Sequence, residues 1–230
     1  MVTGNDETAS SRNRILDVAL GLVQAGGPEA ITIRAVATAA SVQPPTIYRL
    51  FGDKQALLDA VVEHGIAAYV ATKAAHISAS DPVEAMRESW DNHVAFGLAN
   101  PGLFSIMSAN PGSPAAAKGL RLYREIVRKA AKAGRLRTSE ERAVSMVRAG
   151  CVGVVMTLLA DDKHNSDDVS HATREAIISA VTQNALPQEV AAQPTAAATL
   201  RANLDKTVLL TYGEKALLDE LLFRLSNDDL

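Results

Sequence analysis

The chain has 230 residues, with 23 Lys and Arg against 26 Asp and Glu, and a formal net charge of −3 at pH 7. This balance excludes a protein whose whole surface binds polyanions, although it leaves room for a local basic patch. Cys151 is the only cysteine, which excludes an intramolecular disulfide and a cysteine-rich zinc or iron–sulfur site. With 47% hydrophobic and 21% charged residues, the composition is that of a folded protein.

The N-terminal residues are polar and show no basic start followed by an apolar run, so we expect no secretory signal. The longest uncharged apolar stretch, residues 149–160, is shorter than the roughly 20 residues that a membrane span requires. We therefore expect a cytoplasmic protein without a membrane partner.

The composition favours helices, because alanine is abundant and only 4% of the residues are aromatic. Ile15, Ala19 and Val23 fall on one helical face, and Gly26-Gly27-Pro28 ends that helix. We predict an all-α chain, with Pro187 to Thr195 as a linker. The predicted helices span 11–25, 32–39, 45–51, 53–78, 82–99, 101–109, 114–133, 139–160, 168–185, 196–209 and 213–226.

The second and third predicted helices are short and nearly abut. Thr32 can cap the first of them, and Pro44-Pro45 fixes two φ angles where the second begins. Two short helices joined by a tight turn after a longer helix have the geometry of a helix-turn-helix. The second helix would then place Gln43, Thr46 and Arg49 in a DNA major groove. The same geometry is also that of an ordinary corner in a helical bundle.

Residues 12–64 resemble the N-terminal DNA-binding domain of the TetR family of bacterial one-component transcription regulators. The resemblance lies in four stretches, which are Ala25-Gly26, Thr32-Ile33-Arg34, Pro45 to Phe51, and Gly52 to Leu58. It implies a disordered tail over 1–10, a helix-turn-helix domain over 11–58, and a larger helical regulatory domain over 59–230. The implied function is a regulator, most often a repressor, that binds operator DNA as a homodimer and is released by a small-molecule effector, without a cofactor.

The resemblance also implies roles for individual residues. Thr32 is expected to cap its helix and contact a phosphate, and Tyr48 and Lys54 to contact phosphates. The positions that face the bases or the nearby backbone are Arg34, Gln43, Pro44, Thr46 and Arg49. Their chemistry fits, since Arg pairs with guanine, Gln pairs with adenine, and Pro and Thr can touch a thymine methyl. The sequence departs from the family at Ser41, where a glycine is usual, so we expect strain in that turn.

The expected effector pocket cannot be assigned from a motif. Met86, Trp90 and His93 share one side of the fifth predicted helix with Gly97, and the other candidate ligand-binding residues are Met107, Met146 and Cys151. An equally simple interpretation places Trp90 and the methionines in the core and His93 in a buried hydrogen bond.

Two helices are candidates for dimerisation. Residues 139–160 contain Gly150 and Gly153 beside aliphatic side chains, and residues 168–185 contain a second apolar face. Alternatively, the same apolar helix lies entirely inside one protomer.

Other classes of function have weaker support in the sequence. Residues 161–171 contain Asp and His, which suggests a metal site but is more typical of a solvated connection. Cys151 lacks the basic neighbours that activate a redox-sensing thiol. We find no glycine-rich phosphate loop, nucleophile elbow or metal-ligand motif. The alternative function is an all-α small-molecule-binding protein or enzyme without a DNA role.

Overall fold

Eleven α-helices form the described part of the chain, which contains no β-strand. The computed structural model describes residues 4–67, 81–160, 166–183 and 193–227. The helices are α1 (Gly4–Gly26), α2 (Ile33–Ala39), α3 (Pro44–Phe51), α4 (Lys54–Gly65), α5 (Pro82–Ala99), α6 (Pro101–Ala109), α7 (Pro114–Lys132), α8 (Glu140–Ala160), α9 (Ser166–Val181), α10 (Gln193–Ala202) and α11 (Tyr212–Ser226). The predicted all-α fold is confirmed.

The helices pack into two compact units. The described residues of the first unit are 4–67 and 96–119, and those of the second are 81–95, 120–160, 166–183 and 193–227. The boundaries between the units therefore fall inside α5 and α7. The predicted functional boundary after residue 58 stays a prediction, because these units are defined by packing alone.

The core of the first unit forms around α1. Ile15, Ala19 and Val23 are buried on its inner face, and α1 packs against α2, α4 and α6. The approach of α6 is close, since a Cβ at Gly102 would lie 2.6 Å from Cγ1 of Val23. Gly102 therefore allows α6 to lie directly against the end of α1.

The second unit is built around Trp90 of α5, which is fully buried. Its indole Nε1 donates a hydrogen bond of 3.1 Å to Oγ of Ser170 in α9. The helices α8 and α9 pack against each other, and an isolated antiparallel bridge pairs Leu136 with Thr182. Two further helices, α10 and α11, form a hairpin over a small core of Ala197, Leu204 and Leu222.

Several helix ends differ from the prediction. Helix α1 begins at Gly4 rather than residue 11, because residues 5–20 contain neither proline nor glycine. Helix α10 begins at Gln193 and ends at Ala202 rather than 209, since the side-chain amide of Asn203 donates to the carbonyl of Thr199 and closes the last turn. Helix α4 ends at Gly65, with Ile66 as its C-cap, rather than continuing without a break to residue 78. Residues 68–78 of that predicted helix and the rest of the predicted linker, residues 187–192, lie outside the described residues.

One described helix, α8, is long and apolar enough to cross a membrane by length and composition alone, with a mean hydropathy of 1.9. Its inner face contains buried side chains, including Val147, Val154 and Leu158, and the helix packs against α9. A helix that takes part in a protein core passes the same test, so this feature is weak evidence for a membrane span.

Candidate nucleic-acid interface

The turn between α2 and α3 is a Schellman motif. The N–H of Ser41 donates to the carbonyl of Thr38 at 3.1 Å, and the N–H of Val42 donates to the carbonyl of Ala37 at 2.9 Å. This pattern requires a left-handed residue just after the helix, and Ser41 has a φ of 55°. Ser41, where strain was predicted, therefore has a backbone conformation that favours glycine although it carries a side chain.

Both helices of the motif start with defined caps. Oγ1 of Thr32 accepts a hydrogen bond of 3.0 Å from the N–H of Ala35, which satisfies one of the open donors at the start of α2. Helix α3 begins at Pro44, and Gln43 precedes it without using its side chain as a cap. The amide of Gln43 is therefore available to a ligand outside the helix.

The two faces of α3 differ sharply. Ile47 and Phe51 are buried against the rest of the first unit, and these two residues hold the helix by its inner side. The residues predicted to contact DNA from α3 and its N-cap are exposed or half-buried, and they are Gln43, Pro44, Thr46, Tyr48 and Arg49. Tyr48, the one aromatic residue among these five, is 52% exposed.

The start of α4 continues the same surface. Gly52 has a φ of 89° and reverses the chain after α3, and Oδ1 of Asp53 caps α4 by accepting the N–H of Ala56 at 2.8 Å. Lys54 follows as the first residue of the helix and is exposed. Its positive charge lies at the positive end of the helix dipole, which is unfavourable unless an anion binds there.

The cations of this surface have no acidic partner among the described residues. Arg34, Arg49 and Lys54 are exposed, and within the described part of the chain none of the three forms an ion pair. Exposed cations next to donors such as the Gln43 amide are suited to phosphates and base edges.

The candidate effector residues divide between the two units. Met86, Trp90 and Cys151 are buried in the second unit, where His93 and Met146 are half-buried. Met107 is half-buried in α6 and belongs to the first unit.

Two polar residues that the sequence did not single out are buried in the second unit. Ser89 of α5 is 1% exposed, and its Oγ has no hydrogen-bond partner among the described residues. Burial of the Tyr123 hydroxyl in α7, together with the electrostatic effect of Cys151, raises the pKa of Tyr123. Tyr123 therefore stays neutral. Its burial could have been predicted from the sequence, because it shares one helical face with Ile126, Val127 and Ala130, which are also buried.

The glycines of α8 have different surroundings. Gly150 faces the interior of the second unit, where a Cβ would lie 2.3 Å from Cδ1 of Ile177. Gly153 is exposed, with no atom within 4 Å of an added Cβ. Of the two glycines expected at a dimer interface, only Gly153 is on the outside.

Comparisons with known proteins agree with this geometry. A family model described as "Bacterial regulatory proteins, tetR family" matches residues 15–61, which include α2, α3 and the start of α4. A search of curated proteins finds no significant match.

Solved structures share the fold over most of this chain. A protein of unknown function from Rhodococcus sp. RHA1 is 25% identical, with a TM-score of 0.63 over 75% of this chain and 96% of its own. A TetR family transcription regulator from Marinobacter aquaeolei VT8 is 19% identical, with a TM-score of 0.60 over 78% of this chain and 100% of its own. The regulator FadR from Bacillus subtilis, solved with stearoyl-CoA, is 16% identical, with a TM-score of 0.59 over 73% and 97%.

The matched N-terminal residues contain the helix-turn-helix, and the matched structures share the helical remainder. Residues 15–61 therefore match the tetR family of bacterial regulatory proteins, and the helical fold of the chain is one that solved transcription regulators of that family share.

Proposed function

We propose that the protein is a cytoplasmic repressor that binds operator DNA as a homodimer and is released by a small-molecule effector. The observation that carries this proposal is the division of α3 into a buried face, Ile47 and Phe51, and an exposed polar face. A helix held in this way can enter a major groove without rearrangement of its own unit. The proposal assigns no catalytic role to any residue.

In this proposal the exposed residues divide into two groups. Arg49, Gln43 and Thr46 read base edges, with Arg34 and Pro44 beside them, because their side chains can pair with or touch the groove edges of bases. Thr32, Tyr48 and Lys54 contact phosphates and fix the orientation of the helix. With so few cations per protomer, base and shape readout carry much of the specificity.

The proposed dimer uses the outer faces of α8 and α9. Gly153 and Met156 are exposed on α8, with Met156 54% exposed. Ala172, Ala176 and Ala180 are exposed at intervals of four on α9, so their side chains form one stripe. Small residues let a second pair of helices approach closely, and two such pairs make a four-helix bundle across a two-fold axis.

The proposed effector site lies inside the second unit, among Met86, Trp90, Tyr123 and Cys151. These side chains are buried and neutral, and the Oγ of Ser89 is buried among the described residues without a partner. Such surroundings suit an uncharged, mostly apolar molecule with at least one hydrogen-bonding group. Met107 belongs to the first unit and is not part of this proposed site. FadR, of similar fold, was solved with a ligand that contains a long acyl chain.

The DNA-binding proposal is tested by gel shift with DNA from beside the protein's own gene. Wild-type protein should retard this DNA at low salt, and Arg49→Ala should weaken the retardation at least about tenfold. The matched control is Arg121→Ala, which removes the same charge from an exposed position of α7 and should bind as wild type. Unchanged DNA mobility with wild-type protein at low salt would refute the proposal.

The dimer is tested separately, by light scattering of the protein as it elutes from a sizing column. Met156→Glu should shift the protein from dimer to monomer, because it places a charge in the middle of the proposed interface. Ser105→Glu, on an exposed position of α6, should remain dimeric. A dimeric Met156→Glu protein would show that these faces do not meet.

A further inference from the structure

Arg12 of α1 lies against α3, the helix that the proposed function places in the DNA major groove. Its guanidinium carbon is 5.1 Å from the centroid of the Phe51 ring, and Phe51 is the last residue of α3. At this distance the cation and the ring face attract each other, and the ring restricts where the guanidinium can go. The sequence resemblance assigned no role to this arginine.

The position of Arg12 along α1 explains why it reaches this place. It falls on the same helical face as Leu16, Ala19 and Val23, which are all buried. Arg12 itself is exposed, one turn before the core begins. Its aliphatic stem can therefore lie over Phe51 while its charged end stays at the rim of the unit.

Arg12 lies at the same end of the first unit as Lys54, the first residue of α4. Two contacts show that α1 and α4 run in the same direction: the guanidinium of Arg12 lies over Phe51, just before α4 begins, and Nε2 of His64, near the end of α4, lies 2.6 Å from Oδ1 of Asp17. The start of α4 is therefore at the same end as the start of the α1 core, where Arg12 lies. The C-terminal end of α3 lies here as well, since Phe51 contacts Arg12.

The guanidinium of Arg12 is not neutralised within the described residues, where it forms no ion pair. An arginine that is charged, oriented by a ring and unpaired has its N–H groups available for an external anion. When α3 enters a groove of DNA, as the proposed function requires, the anion that comes next to Arg12 is a backbone phosphodiester.

We propose that Arg12 binds a backbone phosphate of DNA and thereby holds the C-terminal end of α3 at the groove. This inference rests on the proposed DNA-binding function. The contact is independent of sequence, so it should contribute equally to operator and random DNA, and it should add to the salt dependence of binding.

The experiment compares Arg12→Gln with Arg14→Gln. Both positions are exposed on α1 and both changes remove one charge, but residue 14 is rotated about 200° around the helix from residue 12. Affinity for operator and for random DNA is measured by fluorescence anisotropy over a range of salt concentrations, and thermal unfolding is measured for each protein.

Arg12→Gln should weaken binding to both DNAs about tenfold at low salt and reduce the slope of log K against log salt by about 0.9 per protomer. Arg14→Gln should leave both quantities near wild type, and both variants should unfold near the wild-type temperature.

Equal slopes for wild type and Arg12→Gln would overturn the inference, as would equal reductions in the two variants, which would indicate a general charge effect. Reduced operator binding with unchanged random-DNA binding would also overturn it. If wild-type protein binds no DNA at all, the proposed function itself fails.

Discussion

Gly150 of α8 lies directly against the indole of Trp90 in α5, where a Cβ would be 2.8 Å from Cη2 of the ring. The same Cβ would be 2.3 Å from Cδ1 of Ile177 in α9. The absence of a side chain at Gly150 thus allows three helices of the second unit to meet at Trp90, whose Nε1 is held by Ser170.

Gly150→Ala should therefore destabilise the protein by about 1–3 kcal/mol, because the added methyl forces buried side chains out of place. The control is Gly119→Ala in α7, where an added Cβ has no atom within 4 Å, so that the higher helix propensity of alanine stabilises by up to about 1 kcal/mol. Urea unfolding measures both variants. Equal or greater stability of Gly150→Ala would contradict the close packing at Trp90.

Ser41→Gly should stabilise the protein by about 0.5–1 kcal/mol. The φ of 55° at Ser41 penalises a residue with a Cβ, and this gain exceeds the entropy that glycine adds to the unfolded chain. The reciprocal change, Gly52→Ser at a φ of 89°, should destabilise by about 1 kcal/mol, because the surrounding space is open and only the backbone conformation opposes the side chain. Thermal unfolding of the two variants should shift in opposite directions, and a shift of the same sign in both would refute the argument.

The sequence predicted the first unit well because its signals are local. The Thr32 cap, the Pro44 start, and the turn at Ser41 each depend on residues within five positions. The second unit depends on distant contacts. The sequence of α8 suggested that Gly150 lies at an interface between protomers, but Gly150 packs against Trp90 of the same protomer. Helix periodicity shows which residues share a face, and it does not show what covers that face.

Thr32 offers a way to separate folding from DNA binding. Thr32→Asp keeps an oxygen that can accept the N–H of Ala35, so stability should stay within about 0.5 kcal/mol of wild type. The new carboxylate would repel a phosphate, and operator affinity should fall at least about tenfold. Thr32→Ala removes the cap, so the free energy of unfolding should fall by about 1 kcal/mol. Because this variant introduces no negative charge, it should weaken DNA binding less than Thr32→Asp. Stronger DNA binding by Thr32→Asp than by Thr32→Ala would exclude a phosphate contact at Thr32.

Lys54 should show opposite effects on stability and binding. As the first residue of α4, it places a positive charge at the positive end of the helix dipole. Lys54→Glu replaces this repulsion with an attraction and should raise the free energy of unfolding by about 0.3–1 kcal/mol at low ionic strength. Operator affinity should nevertheless fall at least about tenfold, because a phosphate contact is replaced by a repulsion. Urea unfolding and anisotropy titrations on the same preparations measure the two quantities.

The matched control for Lys54 is Lys118→Glu, which makes the same charge reversal at an exposed position of α7 and should leave operator affinity near wild type. A lysine at this position opposes the helix dipole and costs stability, whereas a phosphate bound between the lysine and the helix end makes the placement favourable. Reduced stability of Lys54→Glu, or undiminished operator binding, would remove Lys54 from the proposed interface.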